Sequence, residues 1–149
     1  MRESTLRRAS GALAILGIGV ATYIAIADAG GGAPACLAGG HGCQTVADSS
    51  YSHLGGINVA VFGIAGYVLL FGAAMATGDP GRFAGLFLAL IGFGFSLYLT
   101  YLELFVIDAI CQWCVASAVI ATALMVVNAM RARFAGAELA SRSTRPRSG

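Results

Sequence analysis

The residues of this chain best suited to chemistry are four cysteines. Cys36 and Cys43 have six residues between them, and Cys111 and Cys114 bound the sequence Cys-Gln-Trp-Cys. Four cysteines permit three pairings, and spacing alone leaves the choice open. Three uses compete: structural staples or small buried hydrophobes, ligands of one zinc ion, or partners in electron exchange. The Cys-x-x-Cys pair favours exchange. Residues i and i+3 share one face of a first helical turn, where the positive end of the helix dipole favours thiolate and lowers the thiol pKa. A lone Cys-x-x-Cys with a distant partner pair also lacks the double-knuckle spacing of a zinc site, so no metal ligands are assigned. Two dithiol pairs on one chain point to a relay through mixed disulfides.

The elements that position these sulfurs follow from composition. Of 149 residues, 58% are hydrophobic and 11% are charged, whereas a soluble domain carries about 25% charged residues. The balance excludes a disordered chain, and a net charge of +2 is too small for nucleic-acid binding. Four apolar stretches are long enough to cross a bilayer, over 9–27, 57–76, 83–106 and 109–130. The predicted fold is an all-α integral membrane bundle of four transmembrane helices, with a long extracytoplasmic loop between helices one and two. The basic residues are nine Arg and no Lys, and each Arg falls on one side of this arrangement: Arg2, Arg7, Arg8, Arg82, Arg131, Arg133, Arg142, Arg145 and Arg147. The other side carries Asp28, Asp48 and Asp108 without a basic residue. The positive-inside rule makes both termini cytoplasmic and puts all four cysteines at the opposite, oxidising face. A cleaved secretory signal ending near Ala27-Asp28-Ala29 is the competing reading of the N-terminus, but it leaves an unbalanced three-span protein. Residues 1–133 are expected to form the membrane domain and 134–149 a disordered basic cytoplasmic tail beside membrane lipid.

In this frame a flexible loop pair reaches a soluble donor, while a pair at a helix mouth faces an acceptor dissolved in the membrane, for which a quinone is the natural class. No glycine fingerprint for a nucleotide cofactor sits between a strand and a helix. Glu103, late in the third span, either emerges into interfacial water or serves as a proton group near Cys111 and Cys114. Asp108 is expected to cap or open the fourth helix, and His41 and His53 to be solvated. Trp113 is either an interfacial belt residue or a lid over the quinone.

Two runs carry a family resemblance. Cys43 to Gly63 reads Cys-Gln-Thr-Val-Ala-Asp-Ser-Ser-Tyr-Ser-His-Leu-Gly-Gly-Ile-Asn-Val-Ala-Val-Phe-Gly, and Tyr98 to Cys114 reads Tyr-Leu-Thr-Tyr-Leu-Glu-Leu-Phe-Val-Ile-Asp-Ala-Ile-Cys-Gln-Trp-Cys. Together they resemble the vitamin K epoxide reductase homologues, across all four spans. The resemblance implies a four-helix bundle around a quinone (ubiquinone or menaquinone) in the bacterial inner membrane. It further implies the branch that regenerates oxidised DsbA-like, thioredoxin-like proteins for disulfide-bond formation. Carried over, Cys36 meets the partner thiol, Cys43 passes electrons to Cys111, and Cys114 stands beside the quinone. Ser49 matches a position near the active cysteines that carries Ser or Thr, and its hydroxyl could donate to a thiolate or a quinone oxygen. Cys114, Ser49 and Trp113 are thus the expected cofactor contacts. Two departures stand out. Ala118 occupies the position where the vitamin-K-cycling animal enzymes carry Tyr, which argues against epoxide reduction. Asn58 replaces a common Pro, so the start of the second span is expected to be shaped differently. Some relatives carry a fused thioredoxin-like domain; here the chain ends at Gly149, so a separate partner protein is expected. The alternatives are a DsbB-type quinone-linked oxidase and a non-catalytic membrane protein with structural or zinc-binding cysteines.

Overall fold

Long apolar runs with few charges leave the backbone no partner but itself, and helices result. The computed structural model describes residues 2–37 and 39–144. Among them are α1 (Glu3–Ala29), α2 (Gly42–Ala47), α3 (Val59–Met75), α4 (Asp79–Phe105) and α5 (Gln112–Ser143). Helices α1, α4 and α5 are long and apolar enough to cross a membrane, each with a mean hydropathy of 1.9 over its best window. Helix α3 is apolar but has 17 residues, a length of about 25 Å at 1.5 Å per residue, the short end of what spans a bilayer.

Helix α1 packs against α3 and α5, and α4 closes the ring by packing against the same two helices. The core between them holds Ala14 and Ala21 of α1, Tyr67 and Leu70 of α3, Ala89 of α4 and Leu124 of α5. Small residues let the backbones approach: a Cβ at Gly17 would overlap the Tyr67 ring. Ile15, Phe87 and Val119 point outward and exposed, as lipid-facing side chains would.

The two ends of the ring differ. At one end Arg82 pairs with Glu3 (3.4 Å), Asp79 (3.1 Å) and Glu138 (2.6 Å), joining α1, α4 and α5. Beneath it Arg131 is fully buried, with its Nε 3.5 Å from Glu3 and its Nη1 donating to Asn128 at 3.2 Å. At the other end lie the four cysteines, Cys36 and Cys43 within the segment that joins α1 to α3 and Cys111 and Cys114 at the start of α5.

That segment is built rather than loose. It contains α2, a 3-10 turn over Ser50–Ser52 and a hairpin that pairs β1 (His53–Leu54) with β2 (Ile57–Asn58). Gly55 and Gly56 turn the hairpin at φ 61° and 84°, the double positive φ of a type I′ turn. Ile57 therefore belongs to a strand, and the helix expected from 57 starts at Val59. Asn58 caps it, its Oδ1 accepting the Ala60 N–H at 2.7 Å.

Two further expectations are corrected. Asp108 does not cap the last helix; it lies in the preceding turn at φ 55°, a conformation Asp tolerates better than most residues, and Cys111 takes the N-cap position. Residues 134–143 are helical where a disordered tail was expected from 134. Ala135 is buried and Glu138 is held by Arg82, so α5 keeps tertiary partners beyond the apolar run. Residues 145–149 of that expected tail lie outside the described residues.

Candidate thiol–disulfide site

The outer pair is joined. Cys36 and Cys43 form a disulfide with their Cα atoms 5.9 Å apart, and the Cys43 N–H donates to Cys36 Sγ at 3.3 Å. With two of the four sulfurs so bonded, a four-thiolate zinc site is not formed in this state, and no group of three or more metal-binding side chains converges among the described residues. Cys43 is buried at 2% exposure on α2, whereas Cys36 is partly exposed. The chain just before Cys36 is pinned from two helices. The Ala35 N–H donates to the Tyr23 hydroxyl of α1 (3.1 Å), and Trp113 Nε1 of α5 donates to the Ala35 carbonyl (2.9 Å). The Tyr23 and Trp113 rings pack against each other with centroids 4.7 Å apart. Helix α2 in turn sits directly on the chain that leads to the second pair, since a Cβ at Gly42 would overlap the Ile110 carbonyl oxygen.

The inner pair is reduced. Cys111 and Cys114 are free thiols at the mouth of α5, Cys111 buried and Cys114 partly so. The turn that presents them is held by Glu103, near the end of α4. The Glu103 backbone carbonyl accepts the Ala109 N–H at 3.0 Å, and its side-chain Oε2 accepts the Cys111 N–H at 3.1 Å. The Cys114 thiol lies within hydrogen-bonding reach of both Cys111 and the Glu103 carboxylate. A hydrogen bond from Cys114 stabilises the Cys111 thiolate and lowers the Cys111 pKa to about 7, so Cys111 is substantially ionised near neutrality.

Two cavities meet at this pair. A small one of about 60 Å³ is bordered by Cys43, Cys111, Cys114, Ser49, Asp28 and Glu103, so one sulfur of the outer pair and both sulfurs of the inner pair open onto the same space. A large one of about 400 Å³ lies between the long helices and α3, walled by aliphatic side chains and by Phe62 and Phe95. Its polar groups include Glu103, Cys114 and the pair formed by Tyr67 and Ser117, whose hydroxyls are 2.7 Å apart. Cys114 and Glu103 border both cavities.

Of the residues singled out in the sequence, Cys43, Cys111, Cys114 and Ser49 come together, with Cys36 attached through its disulfide. Ser49 borders the small cavity and not the large one, and its hydroxyl donates to the Val46 carbonyl at 2.7 Å. Trp113 lines neither of these two cavities, and its indole N–H holds the chain at Ala35. His41 is exposed, and His53 pairs with Asp28 at 3.2 Å. Sequence reasoning left Glu103 undecided, and it is buried at 5% exposure against the inner pair. It missed Tyr67, Ser117 and Gly42, which carry no motif; only their neighbours in space mark them.

Comparison with curated protein sequences finds no significant match. The sequence profile of the Vitamin K epoxide reductase family matches residues 8–129, which takes in α3, α4 and both cysteine pairs. With most of its length matched, and with a disulfide and a dithiol set around one buried space, this membrane oxidoreductase belongs to the vitamin K epoxide reductase family.

Proposed function

We propose that the protein is a thiol:quinone oxidoreductase. It reoxidises a separate, extracytoplasmic DsbA-like, thioredoxin-like protein and sends the electrons through its two cysteine pairs to a quinone, sustaining disulfide-bond formation. It does so as a four-span protein of a bacterial inner membrane, with both termini cytoplasmic. The observation that carries this reading is the place of Cys114, on the space shared with Cys43 and Cys111 and also on the large apolar cavity.

The cysteines support an ordered exchange. A donor thiolate attacks the outer disulfide at Cys36, the more exposed sulfur, and the second donor thiol then closes the donor's own disulfide. Cys36 and Cys43 are left as a dithiol. Across the small cavity, the Cys43 thiolate attacks the inner disulfide at Cys111 and releases Cys114. Cys36 then attacks Cys43, which restores the outer disulfide and leaves Cys111 and Cys114 as thiols, a pairing consistent with the Cys36–Cys43 bond and the free inner pair. Cys111 suits the exchange because a thiol that ionises near neutrality is both a good leaving group and a competent nucleophile.

The large cavity fits a flat apolar ring with oxygens at its edge. Its volume of about 400 Å³ and its mostly aliphatic walls are those of a small-molecule site, with few polar groups to orient the ligand. Glu103, Cys114, Tyr67 and Ser117 would hold the quinone, which supplies an acceptor for two electrons and two protons. Ala118 stands where the epoxide-reducing enzymes have Tyr, which supports disulfide formation over epoxide reduction as the activity.

The test is reduction of a short-chain ubiquinone or menaquinone by the purified protein with a reduced thioredoxin-like donor, followed by quinone absorbance. The wild-type protein turns over, and Cys111→Ser or Cys114→Ser abolishes turnover. Full turnover in either variant overturns the relay.

A further inference from the structure

Glu103 does more than hold the turn that presents the inner pair. It is a carboxylate near the end of an apolar helix, 5% exposed, and it borders both cavities. No Arg or His borders either one among the described residues, so no cation balances its charge there. The groups around it are the Cys111 N–H and the Cys111 and Cys114 sulfurs, with Tyr51 and Asp28, the latter paired with His53 at 3.2 Å, on the small cavity and Tyr67 of α3 on the large one. A buried carboxylate in such surroundings is costly unless it is used or fully hydrogen-bonded. One of its oxygens takes the Cys111 N–H, and the carboxylate as a whole lies in reach of the Cys114 thiol.

We propose that Glu103 carries the thiol protons of the inner pair to the acceptor in the large cavity. The inference rests on the quinone reading above. Oxidation of the pair breaks two S–H bonds, forms one Cys111–Cys114 S–S bond, and delivers two electrons and two protons to a quinone-class acceptor. As a carboxylate Glu103 takes each proton from a sulfur; as a carboxylic acid it gives each to an acceptor oxygen. The path is short because one side chain touches the cysteines and borders the acceptor's cavity. When diamide oxidises the pair with no quinone present, it takes up the two electrons and both thiol protons; Glu103 then faces a disulfide with no cation bordering its cavities among the described residues, and its carboxylate takes a proton from solvent.

Two measurements test this. Glu103→Gln keeps an oxygen that can accept the Cys111 N–H but cannot carry a proton. It lowers kcat for quinone reduction by at least ~100-fold, the low end for a positioned acid–base group. Glu103→Asp retains part of kcat. The second measurement needs no quinone: infrared difference spectra of the purified protein between its dithiothreitol-reduced and diamide-oxidised states. The wild-type protein exchanges a carboxylate band for a carboxylic acid band on oxidation, Glu103→Gln lacks that exchange, and Glu103→Asp shows it displaced. A Glu103→Gln enzyme with wild-type kcat, or a wild-type spectrum with no carboxyl exchange, overturns the inference. If the wild-type protein reduces no quinone at all, the proposed function fails, and the infrared spectrum still decides whether Glu103 binds and releases a proton with the redox state of the inner pair.

Discussion

At the scale of single residues, the inner pair is asymmetric although its two cysteines are chemically identical. Cys111 sits one residue outside α5 and receives a hydrogen bond from Cys114, which pulls its pKa down to about 7 from the usual range of about 8.5. A lowered thiol pKa means that thiolate accumulates as pH rises through 7 and is lost below it. The rate of modification of reduced Cys111 by a small methanethiosulfonate, followed by mass spectrometry, should therefore rise with a midpoint near pH 7. In Cys114→Ala the midpoint should move up by a unit or more, because the stabilising donor is gone. An unchanged midpoint would place the cause elsewhere. The cysteines were legible because the Cys-x-x-Cys spacing has physical content at any helix mouth. The burial of Glu103 was not. A span as long as 83–106 is compatible with an end that emerges into water, and only the turn over 106–110, folding back over the side chain, encloses it. The bond from Trp113 to Ala35 was hidden for a related reason: an indole beside two cysteines carries no sign of which backbone carbonyl its N–H will reach.

Among the elements, α2 is the one that sets the distance between the pairs. It is only six residues long, yet it buries Cys43 and rests at Gly42 on the Ile110 carbonyl, one residue before Cys111. Any side chain at 42 must lift α2 or displace the turn. Gly42→Ala is predicted to slow electron transfer from the outer to the inner pair by ~10- to 100-fold, since misplacement by about 1 Å costs reacting groups on that order. Attack of the donor on the Cys36–Cys43 disulfide should be unaffected. Rapid-quench trapping of free thiols in a single turnover separates the two steps, and an unchanged inner-pair rate would mean that α2 does not set the distance. Most long helices were legible from apolar length, to within a few residues at their starts. The hairpin over 53–58 was not, because two-residue strands are too short to show a period and Ile57 reads as the first apolar residue of a helix. The helical extension to Ser143 was hidden in a similar way, since its support comes from Arg82, more than fifty residues earlier in the chain.

For the whole molecule, the concentration of Arg at one end does more than mark a side. Arg131 is fully buried, and its Nε and Nη2 have no hydrogen-bond partner among the described residues, so Glu3 at 3.5 Å is its main charge compensation. Removing one member of a buried pair strands the other. Glu3→Ala is expected to destabilise the protein by ~3 kcal/mol in a denaturation experiment, and adding Arg131→Met should recover most of that loss. A double variant no more stable than Glu3→Ala alone would show that the pair does not act as a unit. At the opposite end the exposure of the sulfurs falls from Cys36, partly open to water, to Cys43 and Cys111, each at 2%. In the proposed relay the chain acts as an insulated lead. One terminal faces the aqueous phase, the other ends in an apolar chamber, and the conductor between them is sealed by α2 and the Glu103 turn. Small aqueous thiols and oxidants reach the buried Cys43 and Cys111 more slowly than they reach Cys36, so leakage between the two sides is held down. The current is then set at the two terminals, and partner choice becomes a question of which molecules can touch each one.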